Sequence, residues 1–238
     1  MEMEVDSPKA EELFRAAEAG DSQAFRSLSG DDLQRARSLR NEDGRSLLHV
    51  AASFGHAEKV VSLLSAADPS VSGINSTDEE GWAPIHSAAS SGHGDVVEIL
   101  LSRGASVNSV NNGGRLPLHY AASKGWLKIA EMLIAHGSKL NRKDEVGCTP
   151  LHRAASTGNG ELCELLIEEG AEVDAVDRTG QTPLMHAVIC QNNQVALLLI
   201  RHGADVDVQD KEGYTVLGRA TSDFRPALID AAKAMLED

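Results

Sequence analysis

Four histidines, His49, His86, His119 and His152, each close a short phrase of the sequence. Histidine is the side chain most often recruited as a metal ligand or as a base near neutral pH. The last three stand 33 residues apart, so each occupies the same place in a repeating unit. Stacking such units sets their histidines in a ladder with steps of ~10 Å, the separation of packed helices. That is too far for two of them to share a metal ion, and the spacing predicts rings that bridge neighbouring units by hydrogen bonds. The three cysteines, Cys148, Cys163 and Cys190, fall in different units, with neither a CxxC pair nor an even count. Neither a disulfide framework nor a zinc site is expected, and the thiols read as reduced and buried. No Gly-x-Ser-x-Gly elbow or Gly-x-x-x-x-Gly-Lys phosphate loop occurs. Paired carboxylates such as Glu79-Glu80 and Glu168-Glu169 have nothing beside them to raise a pKa for acid catalysis. The residues therefore predict no catalytic centre, no cofactor and no metal.

Composition narrows the partners. The formal net charge of −14 repels a nucleic-acid backbone, and no Lys/Arg run is long enough to overcome it. Apolar runs such as Val195 to Ile200 fall far short of the ~20 residues that span a bilayer. The acidic start, Met1 to Asp6, is the opposite of a secretory or transit peptide. A chain kept in the cytoplasm, with access to the nucleus and a protein partner bearing basic patches, is the expectation.

The elements that carry the histidines follow from a recurring phrase: Ser46-Leu-Leu-His49, Ala83-Pro-Ile-His86, Leu116-Pro-Leu-His119, Thr149-Pro-Leu-His152, Thr182-Pro-Leu-Met185 and Thr215-Val-Leu-Gly218. A fixed period of this size means stacked supersecondary units. A Gly stands two residues before each phrase and an Asp or Asn five before it, from Asn41 and Gly44 to Asp210 and Gly213. Asx-x-x-Gly is tight-turn chemistry, so each unit opens with a projecting finger. Thr then serves as N-cap, and Pro suits the first helical position, where no N–H is needed. Ala pairs such as Ala51-Ala52 and Ala88-Ala89 allow close helix approach, and Gly55, Gly92, Gly125 and Gly158 end this inner helix. A second helix follows, with apolar positions such as Val96, Val97, Leu100 and Leu101.

Finger, helix, helix at this period resembles the ankyrin repeat, whose signature includes Thr-Pro-Leu-His. The resemblance implies an all-α repeat, an α-solenoid: an ankyrin-repeat array of about seven units with β-turn fingers and capping units at both ends. Residues 1–7 read as an acidic N-terminus and 8–238 as a single ankyrin-repeat domain. Within it, an N-cap spans about 8–40, full repeats span 41–77, 78–110, 111–143, 144–176 and 177–209, and a C-cap spans 210–238. An excess at Asp68 to Gly73 reads as a loop insertion.

Binding would then use a concave side of finger tips and outward positions of inner helices. By register this side includes Glu42, Asp43, Arg45, Asp78, Glu79, Glu80, Trp82, Asn112, Arg115, Asp144 and Glu145, together with Val50, Phe54, Ser87, Tyr120, Lys124, Arg153, His186 and Arg219. The early fingers are acidic, and the later inner helices carry Lys124, Arg153 and Arg219. This polarity favours a partner with a basic patch against the first fingers and an acidic patch further along. Trp82 and Tyr120 are candidate anchors, with packing against a neighbouring finger the competing role. Trp126 reads as packing away from this side.

Asp78-Glu-Glu-Gly-Trp-Ala-Pro-Ile-His86, Pro117-Leu-His-Tyr-Ala-Ala-Ser-Lys124 and His152-Arg-Ala-Ala155 followed by Gly158-Asn159 are similar to the gankyrin family, ankyrin-repeat non-ATPase regulatory subunits of the proteasome. The resemblance implies a monomeric assembly chaperone that clasps the C-terminal domain of one base ATPase subunit, using acidic fingers and adjacent bases matched by Asp43, Glu79, Arg45 and Lys124. Animal members carry Leu-x-Cys-x-Glu, associated with retinoblastoma-protein binding. Leu184 to Gln191 lacks that element, so the resemblance does not extend to it. The alternative is an unrelated ankyrin adaptor or inhibitor, such as a kinase inhibitor or a ubiquitin-ligase substrate receptor.

Overall fold

The computed structural model describes residues 7–56, 64 and 73–237. Among them are fourteen helices and no strand. In chain order these are α1 (Ser7–Ala19), α2 (Ser22–Arg26), α3 (Gly30–Ser38), α4 (Leu47–Phe54), α5 (Pro84–Ser91), α6 (Gly94–Ser102), α7 (Pro117–Lys124), α8 (Leu127–Ala135), α9 (Pro150–Ser156), α10 (Gly160–Glu168), α11 (Pro183–Ile189), α12 (Asn193–Arg201), α13 (Val216–Arg219) and α14 (Arg225–Glu237). The proposed loop insertion after Asp68 lies, except for Gly73, outside the described residues, as does most of the acidic N-terminus. None of the described helices is long and apolar enough to cross a membrane.

The chain divides into two compact units, Met1–Pro117 and Leu118–Asp238. In the first, α1 packs on α4, α4 on α5, and α5 on α6. In the second, α9 packs on α10 and α11, α11 on α12, and α12 on α14. The Ala pairs explain the tight inner-helix contacts, since Ala51, Ala52, Ala88, Ala89, Ala154 and Ala155 are wholly buried. Burial of the outer helices rests on Val96, Val97 and Leu100 in α6 and on Leu162 and Leu166 in α10. At ~25 cal/mol per Å² of apolar surface removed from water, these side chains supply most of the cohesion between helices.

The phrase works as its residue types predict. Ser46, Thr149, Thr182 and Thr215 cap their helices by accepting a backbone N–H from the third helical residue. Ala83 heads α5 without a side-chain cap. Gly55 and Gly92 close α4 and α5 in the left-handed conformation. The equivalent position after α11 is Gln191, which adopts φ 59° despite its side chain and is the one such non-glycine residue among those described.

The predicted histidine bridges are present within each unit. His49 Nε2 meets the Trp82 carbonyl at 2.7 Å, and His86 Nε2 meets that of Arg115 at 3.1 Å. His119 Nε2 meets the Cys148 carbonyl at 3.2 Å, and His152 Nε2 that of Gln181 at 3.0 Å. At the other side of the ring, the backbone N–H groups of Ser46, Ala83 and Thr149 donate to Nδ1 of His49, His86 and His152. A nitrogen that accepts an N–H carries no proton, so in these three the proton sits on Nε2 and the ring is neutral. Burial pushes His49, His119 and His152 down to about 4 and lowers His86 as well. A second, unpredicted set of bridges runs at the starts of outer helices. His93 Nε2 bonds the Ser53 carbonyl, Asn159 Nδ2 donates to Ala122, and Asn192 Nδ2 donates to Ala155.

Candidate functional site

Each finger is organised by its first residue. Oδ1 of Asn41 accepts the N–H groups of Asp43 and Arg45, and Oδ1 of Asp78 accepts those of Glu80 and Trp82. The same pattern recurs at Asp144, Asp177 and Asp210. An Asx side chain that holds its own turn leaves, when it is an aspartate, one further oxygen for other work. Asp78, expected among the binding residues, is thus first the organiser of its finger.

In the first unit, Asp43, Arg45, Asp78, Glu79, Glu80 and Trp82 line one groove of about 460 Å³, together with Ser53, Ser87, Ser90 and Ser91. Asp43, Glu79 and Glu80 are exposed, while Arg45, Asp78 and Trp82 are half-buried. Arg45 lies along its own helix, with Nη2 donating to Ser53 Oγ at 3.0 Å and to the His49 carbonyl at 3.3 Å. The Trp82 ring is tilted against that of His86, with centroids 6.0 Å apart, so Trp82 both packs and faces the groove. Arg115, half-buried in the next finger, is not among the groove-lining residues. Two residues placed on this face by register expose little surface, although Ser87 still forms part of the groove wall. Val50 and Ser87 are buried, because the small-residue stripe of the inner helices lets α4 and α5 approach closely enough to cover them.

In the second unit the structure redirects the cations. Arg153 pairs with Asp144 Oδ2, whose side chain is 1% exposed. His186 Nε2 lies 3.0 Å from Asp177 Oδ2. Arg219 pairs with Asp210 at 2.5 Å and Glu212 at 2.7 Å, with its guanidinium over the Tyr214 ring. In each of the three, the contact with the finger aspartate is made by the residue nine positions later. Burial works to raise the Asp144 carboxyl, but the Arg153 guanidinium and the turn N–H groups outweigh it and hold it below its ordinary value. Arg153, His186 and Arg219 are therefore braces between a finger and its helix before they are contacts for a partner. Lys124 is exposed at the end of α7, and Tyr120 is half-buried on the same helix.

Of the three thiols expected to be buried, Cys148 and Cys163 are, and burial pushes Cys163 up to about 12, which keeps it an unreactive thiol. Cys190 is exposed. It caps the end of α11, where the chain turns out through Gln191 instead of a close-packed glycine. Trp126, expected to pack, leaves 40% of its surface open. It stands at the N-terminal boundary of α8, before the first buried turn.

Fingers braced to their helices in one unit and an open acidic groove in the other are features of a repeat scaffold of the kind that binds proteins. The matches agree: ankyrin repeats (3 copies) are found at residues 13–111, 105–177 and 151–238, and the chain belongs to the ankyrin-repeat family. No curated protein matches it significantly.

Proposed function

We propose that the chain is an assembly chaperone of the proteasome regulatory particle, as its resemblance to gankyrin implies, and that it acts by clasping the C-terminal domain of one base ATPase subunit. The observation that carries this reading is the groove of the first unit, where Asp43, Glu79 and Glu80 surround Trp82 and Arg45. Exposed carboxylates around a half-buried aromatic suit a basic patch with an apolar centre: the charges set register and on-rate, and the ring gives the anchor. Covering the ATPase domain would keep the growing base from docking early on the proteolytic core. The reading includes a monomer acting in cytoplasm and nucleus, one ankyrin-repeat domain over 8–238, and Lys124 as a further contact.

The double substitution Asp43→Arg with Glu79→Arg should weaken the ATPase domain by about tenfold or more, since like charges then face each other in the groove. Calorimetric titration measures this, and unchanged affinity would refute the electrostatic account. Affinity purification from cells of the source organism, read by mass spectrometry, tests the partner itself. Failure to enrich base subunits would overturn the chaperone reading in favour of another ankyrin adaptor.

A further inference from the structure

We propose that Cys148, Asp177 and His186 form a binding site for a divalent transition-metal cation of the zinc class. The Cys148 Sγ, an Asp177 carboxylate oxygen and a His186 ring nitrogen all lie within 4.8 Å of one another. His186 Nε2 and Asp177 Oδ2 are already 3.0 Å apart. Two ligands held at ~2.0 Å by a tetrahedral zinc ion stand roughly 3.3 Å from each other, and a thiolate at ~2.3 Å only slightly further. A metal can thus take the place of the proton between imidazole and carboxylate with little movement, while the sulfur closes by about an ångström.

Two departures from the repeat pattern meet at this point. The position nine residues after the finger aspartate is arginine in the neighbouring units, Arg153 and Arg219, and an arginine brace is not a metal ligand. At 186 it is histidine, which can both brace and ligate. The residue just before the phrase is Arg45, Trp82, Arg115, Gln181 or Tyr214 elsewhere, and a thiol only at Cys148. Stacking brings that residue beside the next unit's finger aspartate and its brace. The support around the ligands is in place as well. Asp177 Oδ1 accepts from Thr179 N at 2.8 Å, Thr179 Oγ1 at 2.7 Å and Gln181 N at 2.9 Å, which fixes the carboxylate. The His186 ring meets that of His152 edge-on, with centroids 5.0 Å apart. Cys148 is buried, while Asp177 and His186 are partly open, giving an approach from solvent.

One sulfur, one nitrogen and one oxygen suit zinc or cobalt and not the all-oxygen preference of magnesium or calcium. On binding, the thiol proton leaves to solvent as the metal–sulfur bond forms. The imidazole ligates through Nε2 as the neutral ring, its proton now on Nδ1, and water completes the fourth position. The ion would clip one finger to the helix of the following unit.

Titration of the whole chain with cobalt(II) tests this directly. One equivalent should produce a thiolate-to-cobalt charge-transfer band, which zinc displaces. The band should be lost in Cys148→Ser and in His186→Arg, and kept in Cys190→Ser. His186→Arg restores the brace used by the adjacent units, so the fold should persist, shown by unchanged circular dichroism. Zinc should raise the melting temperature of the natural chain and leave that of His186→Arg where it is. Absence of the band at one equivalent, its survival in His186→Arg, or its loss in Cys190→Ser would overturn the assignment.

Discussion

Mild acid should unfold this protein through its histidine ladder. His49, His119 and His152 are held at about 4 by burial, against 6.5 for the free side chain. In His49 and His152 a backbone N–H occupies Nδ1, so the ring cannot take a second proton without losing that bond. As pH falls, the unfolded chain binds protons first. The stability linked to these rings is therefore full above about 6.5 and is lost as pH drops towards 4. At pH 5 the loss is about 2 kcal/mol per ring, or about 6 kcal/mol for the three. That is comparable with the whole folding free energy of a typical domain, about 5–15 kcal/mol. Carboxylates with ordinary values near 4 contribute little above pH 5, so the window belongs to histidine. Urea unfolding followed by circular dichroism at pH 7, 6 and 5 should show a falling midpoint, and the imidazole resonances of the three rings should stay in the neutral position to pH 5. A constant midpoint, or any of these rings titrating near 6.5 in the folded protein, would refute the reasoning.

Two substitutions test the fold's local devices. Arg153→Met leaves the Asp144 carboxylate buried without its cation and should cost about 3 kcal/mol, read as a lower urea midpoint, while Asp144→Asn in the same background should recover part of it. Gln191→Gly should stabilise by about 1 kcal/mol, because it relieves a left-handed backbone at a residue with a side chain; an unchanged or lower melting temperature would show that no strain is stored there.

Much of the fold was legible because it is written once per repeat. Thr149 caps α9 because a hydroxyl placed before a proline meets the third helical N–H, and that is local geometry. The bridging role of His119 followed from periodicity alone, since a residue that recurs with the unit must serve the contact between units. The outer-helix bridges of His93, Asn159 and Asn192 were equally periodic, at ten residues past each phrase start, but their residue type varies and hides the pattern. The candidate site was legible in part. Register found the acidic residues of the first groove and Ser87 in its wall, yet it placed Val50 on the surface, because it counts helical positions and not the distance between neighbouring helices.

The sequence by itself determined the class of protein: the period, the turn residues and the caps each act within a few residues, and they admit only stacked finger-and-helix units. The tertiary structure decided which charges are free. Arg153 and Arg219 read as binding cations along the chain, but the finger folds back so that the aspartate nine residues earlier meets each of them. The same folding brings Cys148 to Asp177 and His186, residues separated by 29 and 38 positions whose meeting no spacing rule announces. Local interactions are encoded in order along the chain, whereas the pairing of buried charge and the grouping of ligands depend on which units pack together.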